Sequence, residues 1–357
     1  MPIEVFNNNR GIAILITLTI ITIIITVSLE LHRKMRFAAV STAATRDRFT
    51  LTHMASSDIN AAMAILVKDK NESTIDSIQE DWANSEKINE LLKDIPFENG
   101  KTTLTISDEL ARIQVNALVK YPKGRDFNES QRIMWDRLLR LLFSQDESLK
   151  EIEPTSVINS VKDWLDFGDD DAITGLNGAE SEYYQDLDPP YYCRNGPIDH
   201  LGELVLIKGI TRDLYQSVGE MFRISRYMTI YGVTSAGKNT FTYKGKININ
   251  TAELPVLIAL LPSENEDFAL SIFNYRQEAT DSKYINDLSD PVWYKNAPGC
   301  SDIQIDPGLI TASSDLFRIE STATLNEMET TTKAVVRREK DKKTGKWICR
   351  VLSWQTE

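Results

Sequence analysis

Cysteine and histidine are scarce in this chain of 357 residues, with 3 of each. Cys193, Cys300 and Cys349 are too far apart for the C-x-x-C spacing of zinc and dithiol redox sites. His32, His53 and His200 make no H-E-x-x-H zinc motif, and neither a nucleophile-elbow serine nor a Walker loop occurs. A basic excess is missing as well: 52 acidic residues face 40 basic ones, a formal net charge of -12. DNA affinity rests on a basic face that releases counterions from phosphate, so this balance argues against nucleic acid as a partner. Asp166 and Glu180 could be read as a glycosidase-like pair, but any acidic loop offers such pairs, and no enzymatic activity is expected.

What is present begins at Arg10-Gly11-Ile12, where a short polar leader meets residues 12–29, an apolar run without a charge. The run is long enough for a bilayer core of about 30 Å. Ser28-Leu29-Glu30-Leu31-His32 offers no small-x-small cleavage site, so the segment is expected to stay with the mature chain. Thr17, Thr19, Thr22 and Thr26 interrupt the aliphatic residues, and their hydroxyls can bond back to helix carbonyls. Residues 31–68 contain no proline or glycine and are rich in Ala, Arg and Met. The helix is therefore expected to continue beyond the membrane.

A leader ending in Gly11, a cleavage point before Ile12 and an apolar helical stem together resemble the class III signal of type IV pilins and type II secretion pseudopilins. Most of these carry Glu at the fifth position after the cut, which here is Ile16. That departure is similar to the K-type minor pseudopilins. A buried amine is costly unless paired, so a subunit without this carboxylate suits one end of a filament. The resemblance implies cutting after Gly11 by prepilin peptidase, methylation of Ile12, and assembly with I-type and J-type minor pseudopilins. It implies a place at the tip of the type II secretion pseudopilus, initiating or capping the filament for export across the outer membrane. A minor type IV pilin for fibre assembly or adhesion is the neighbouring alternative, and an ordinary single-pass anchor the plainer one.

Charge placement pulls against this orientation. Arg10 alone precedes the span, whereas His32, Arg33, Lys34 and Arg36 follow it, and the positive-inside rule would leave the body in the cytoplasm. The resemblance implies a single-pass protein of the cell inner membrane with its body in the periplasm, and the middle of the chain supports it. There a helix over residues 158–166 runs into Asp166-Phe167-Gly168-Asp169-Asp170-Asp171, followed by Gly178-Ala179-Glu180, Tyr183-Tyr184, Pro189-Pro190-Tyr191 and Asn195-Gly196-Pro197. This ordered series is similar to the K-type core.

Carboxylates crowded at Asp166, Asp169, Asp170 and Asp171 repel one another, and a hard divalent cation is the simplest way to fold them together. EF-hand spacing is not matched. The candidate calcium ligands are Asp166, Asp169, Asp171, Glu180 and Glu182. A solvated acidic loop is the bland alternative, and resemblance to a family with calcium sites in this region favours the ion.

Residues 204–215, with Lys208-Gly209 at their centre, and Ile247-Asn248-Ile249-Asn250-Thr251-Ala252 look like helix-hairpin-helix turns. The acidic balance assigns them to packing in a helical bundle. Alternation predicts strands over 101–107 and 112–119, and apolar spacing at Ile133, Met134, Leu138, Leu141 and Leu142 predicts a helix over 126–143. A hairpin is expected over 228–250 around Ser235-Ala236-Gly237, with helices elsewhere to about 284. Three strands close the chain, over 316–325, 330–339 and 346–354, the last two joined by a turn at 341–345.

The expected fold is α+β: a membrane-spanning pilin-like helix packed on a small antiparallel sheet, with a large inserted helical domain of SAM-like or helix-hairpin-helix-like kind. Its divisions are the leader (1–11), transmembrane stem (12–31), periplasmic stem and linker (32–100), first strands (101–122), insertion (123–300) and closing strands (301–357). One disulfide in an oxidising compartment would join Cys300 to Cys349, and three reduced thiols are the alternative.

Overall fold

The computed structural model describes residues 10–92, 100–145, 147–168, 173–216, 223–281 and 283–357. The expected leader, up to residue 9, lies outside the described residues. Helix α1 (Arg10–Glu72) is continuous over 63 residues. Within its apolar part, Thr17, Thr19, Thr22 and Thr26 hydroxyls donate to the carbonyls of Ile14, Leu15, Thr19 and Thr22 at 2.8–2.9 Å. Among the described residues this is the one helix long and apolar enough to cross a membrane, and residues 11–29 are exposed throughout. Burial starts at Asp47 and recurs at Leu51, Met54, Ala55, Asp58, Ile59, Ala62 and Leu66, the spacing of a single helix face.

A short 3-10 turn at Asp81–Ala83 and α2 (Ser85–Leu92) then lead into β1 (Gly100–Asp108). The chain next enters its insertion: β2 (Ile113–Gln114), α3 (Glu129–Gln145), α4 (Pro154–Leu165), α5 (Ser181–Gln185), α6 (Arg212–Gln216), α7 (Ile224–Tyr227) and β3 (Met228–Thr229). It continues through β4 (Val233–Gly237), β5 (Thr240–Tyr243), β6 (Ile247–Asn248), α8 (Leu254–Leu260), α9 (Ala269–Tyr275), β7 (Ala279–Thr280), β8 (Lys283–Tyr284) and β9 (Ile310–Thr311). β10 (Leu316–Leu325), β11 (Met328–Lys340) and β12 (Trp347–Thr356) finish the fold.

The main sheet is antiparallel in the order β1-β10-β11-β12, so a strand from before the insertion pairs with three from after it. β10 and β11 turn at Asn326, whose φ of 56° suits a tight hairpin. Phe317, Ile319, Ala334 and Val336 meet Ile59, Ala62 and Leu66 of α1 beneath the sheet, with Trp82 and Ile88 closing one side. A separate, larger core holds the insertion together through Trp135, Leu138, Val157, Trp164 and Leu257. That core also takes in Ile303, Ile305, Leu309 and Ile310, beyond the boundary drawn at residue 300. The fold is α+β, as expected.

Two local expectations need correction. The strand expected over 112–119 is only the two residues of β2, followed by a 3-10 turn at Val115–Leu118. Its polar positions do not face water: Gln114 accepts from Ala117 N at 3.2 Å, and Asn116 exchanges bonds with Ile198 at 2.8 and 3.1 Å. The helix expected over 126–143 runs Glu129–Gln145 as α3, with Met134, Trp135, Leu138, Leu139 and Leu142 on its buried face and Ile133 exposed. The β4–β5 hairpin turns after Gly237, with Asn239 at φ 61°, two or more residues later than expected.

Helix, sheet and insertion are joined at a buried ion cluster. Arg338 on β11 donates to Leu66 O and Asp69 Oδ2, each at 3.0 Å, to Ser314 O at 3.1 Å, and to Asp76. Its guanidinium lies 4.7 Å from the Phe317 ring centre. Lys70 approaches Asp76 at 3.4 Å, and Ser314 N donates to the same carboxylate at 2.9 Å. Burial, reinforced by Glu80 and Asp76, pushes the Asp69 carboxyl up to about 7 against the pull of Arg338. Replacing Arg338 by Met leaves these buried carboxylates without their main countercharge. Arg338→Met should cost about 3–5 kcal/mol of unfolding free energy in urea titrations, whereas exposed Arg33→Met should change little.

Candidate metal centre

Helix α4 begins with proline at its first turn and buries Val157, Ile158, Val161, Trp164 and Leu165. Asp163 lies on the same buried side, Asp166 caps the C-terminus of the helix, and Glu180 occupies the N-cap of α5. Each of these acids has a carboxylate oxygen within 4.8 Å of the others, and all three are buried. The fold thus brings together Asp166 and Glu180 of the predicted ligands and adds Asp163, which sequence reasoning missed. Glu182 is exposed on α5, while Asp169 and Asp171 lie outside the described residues. The signal for Asp163 was present in its position: an acid on the apolar face of a helix, three residues before Asp166.

Asp163 is fixed from the loop that returns to α5. Its carboxylate accepts from Thr174 N at 3.1 Å and Ala179 N at 2.9 Å. Burial raises its pKa, and the Thr174 bonds oppose the rise. Lys162 Nζ lies 2.6 Å from Asp166 Oδ2 and 4.0 Å from Asp163 Oδ1. Gly178 allows this approach, since a Cβ there would stand 2.1 Å from Asp163 Oδ2 and 2.8 Å from Thr174 backbone atoms. Cys193 Sγ donates to Asp163 O at 3.5 Å, and burial pushes its thiol up to about 12, so it borders the site as a neutral group.

The successive motifs of this region wrap one another. Tyr184 packs edge-on to Trp164 with centroids 5.0 Å apart and stacks on Tyr191 at 5.3 Å. Tyr191 donates its hydroxyl to Leu206 O at 2.7 Å. Lys208 reaches Gly178 O at 3.2 Å and lies over the Tyr183 ring. Gly209, at φ 87°, brings this turn against Val157 of α4.

Three carboxylate oxygens this close suit one hard cation, because two ligands at 2.3–2.6 Å from a calcium ion stand no more than about 5 Å apart. A second acidic group, Asp69, Asp76 and Glu80, has similar spacing but is met by two cations, Arg338 and Lys70, where the first is met by Lys162 alone among the described residues. Asp166 and Glu180 are only 8 % and 7 % exposed, which gives a sugar no access to them as a catalytic pair. The other hairpin-like segment is committed internally. Asn248 donates to Asp108 Oδ2 at 2.6 Å and to Asp76 O at 2.9 Å, and Asn250 reaches Leu288 O, Ala312 O and the Trp293 indole. Cys300 and Cys349 do not pair. Cys300 is a free thiol in the core of the insertion, and Cys349 is another on β12, 3.7 Å from Met63 O of α1.

Residues 111–223, which include all three carboxylates, match the family described as type II secretion system (T2SS), protein K. Over this stretch the chain is similar to the type II secretion protein K family. Type II secretion system protein K of Klebsiella pneumoniae is 27% identical over 267 residues, covering 72% of this chain and 72% of that protein. The Aeromonas hydrophila protein of the same name is 23% identical over 208 residues, 57% of this chain and 60% of the relative. A chain from the crystal structure of the GspK-GspI-GspJ complex of enterotoxigenic Escherichia coli shares the fold. It has a TM-score of 0.61 and 18% identity, covering 88% of this chain and 99% of that one. These likenesses together support a minor pseudopilin role.

Crowding at Gly178 makes the site testable without touching a ligand. Gly178→Ala should destabilise the protein by about 1–3 kcal/mol through forced displacement of Asp163, read as a lower urea midpoint at unchanged slope.

Proposed function

We propose that this minor pseudopilin occupies the tip of the type II secretion pseudopilus, where it initiates and caps the filament. The observation that carries the reading is Ile16, an exposed apolar side chain on α1 at the position where pilin-like subunits hold the carboxylate that neutralises a neighbour's terminal amine. An apolar group there offers no countercharge to a subunit placed above it, which suits the end of a filament. The chain would be cut after Gly11 by prepilin peptidase and methylated on Ile12. Its apolar stem would hold it in the inner membrane, with the body in the periplasm. There it would assemble with I-type and J-type minor pseudopilins, in the way that GspK, GspI and GspJ of enterotoxigenic Escherichia coli form one complex.

The carboxylate cluster serves this role as a calcium site. Asp163, Asp166 and Glu180 would be ligands, and the ion would tie the end of α4 to the start of α5. Calcium here has no reaction to perform, and its work is to hold the acids of two helix ends together.

Two measurements test this reading. Intact mass after expression with active prepilin peptidase should show loss of residues 1–11, with one methyl added to Ile12. An unchanged mass sinks the assembly reading. Calcium should stabilise the body by about 2.7 kcal/mol at about a hundredfold excess over its Kd, and Asp163→Asn with Glu180→Gln should remove that gain. A melting temperature insensitive to both calcium and chelator would show that the acids are merely buried.

A further inference from the structure

A cleft of about 350 Å³ lies between the β4–β5 hairpin and strands β11 and β12 of the main sheet, and none of Asp163, Asp166 and Glu180 lines it. Its lining includes Lys70, Lys244, Lys246, Arg337 and Arg338 against a single acid, Asp315. That excess of positive charge stands on a chain whose formal net charge is -12. Arg338 and Lys70 are held by Asp69 and Asp76 in the joint described above. The other three cations are differently placed.

Lys244 is exposed, and no carboxylate lies within ion-pair distance of it among the described residues. Lys246 Nζ is held only by the carbonyls of Pro307 and Ile310, both at 3.4 Å. Asp306 lies near enough to feel its charge, but that carboxylate already accepts from Ser130 Oγ and Gly308 N, each at 2.8 Å. Arg337 donates to Val233 O at 3.1 Å, and its Nε, buried and without a hydrogen-bond acceptor, lies 3.7 Å from Asp315. That separation is a loose ion pair rather than a hydrogen bond. Nε faces inward, and among the described residues Nη1 makes no hydrogen bond, so part of the guanidinium fork is left for an acceptor from outside. Leu110 and Trp347 supply the apolar part of the wall.

We propose that this cleft is a docking groove for an acidic stretch of another polypeptide. Carboxylates of that stretch would meet Lys244, Lys246 and Arg337, and an apolar side chain among them would lie on Trp347. Charge complementarity selects the occupant, since the net acidic surface repels acidic chains and this groove would retain one. The inference goes beyond the filament-tip reading and does not need it: the groove would work the same way in any assembly that holds this body.

The test uses the full chain in detergent and a fluorescein-labelled peptide of sequence Asp-Glu-Glu-Trp-Glu-Asp, followed by fluorescence anisotropy. Saturable binding is expected, weakened about tenfold or more in the K244E/K246E variant. It should also fade as salt rises from about 50 to about 300 mM. K342E/K343E, which reverses two exposed lysines of the β11–β12 turn, should bind as the parent does. Melting temperatures matching the parent's would show that each variant is folded, and Arg337→Gln gives an independent loss of affinity at the same groove. Equal weakening in both double variants would mean general charge attraction and overturn the proposal. So would displacement of the peptide by inorganic phosphate at equal concentration, which would leave a site for small anions.

Discussion

Everything in this fold depends on how Arg338 is satisfied. A guanidinium carried into the interior by a β-strand must be met by charge and by acceptors, or the strand cannot lie there. The acceptors come from the last turns of the stem helix, from the loop after it and from the loop before β10. One side chain thereby decides where the helix stops crossing the sheet and where the chain turns towards α2. Asp76 extends the constraint, because its backbone carbonyl accepts from Asn248 while its amide donates to Ala312 O. The insertion is consequently seated on the sheet by polar bonds, whose geometry is stricter than that of apolar contact.

The same economy governs the carboxylate cluster. Buried acids are tolerated where several segments must be brought to one point, and there the acids face a helix end, a glycine and backbone amides. This arrangement lies in the portion that matches the protein K family. The two polar junctions lie in different layers of the molecule. One links stem to sheet, and the other closes a loop inside the insertion.

Legibility followed burial on one face only. β10 and β11 could be read because alternation with a buried side is plain, and Asp341-Lys342-Lys343-Thr344-Gly345 marks the turn to β12, whose own residues are half-buried or exposed. Residues 112–119 misled because their polar members are also buried, so alternation there reported cross-links rather than a strand. The helix α3 was legible from its apolar spacing, though not every apolar position is buried: Ile133 stays exposed. Asp166 and Glu180 were found from local acid density. Asp163 was not, since its role depends on a loop that returns sixteen residues later. The cysteine pairing could not be judged from spacing, because two different hydrophobic cores divide the C-terminal part.

The stem carries one more consequence. Between Glu30, where the charges begin, and Asp47, where burial begins, α1 is bare on all sides, a length of about 24 Å at 1.5 Å per residue. Met35, Phe37 and Val40 stand in solvent along it. Helix without tertiary support is the softest part of a folded chain. The stretch is therefore the compliant element of the molecule: a load on the head bends this neck before it opens either core, and neighbours that cover the neck stiffen the whole rod.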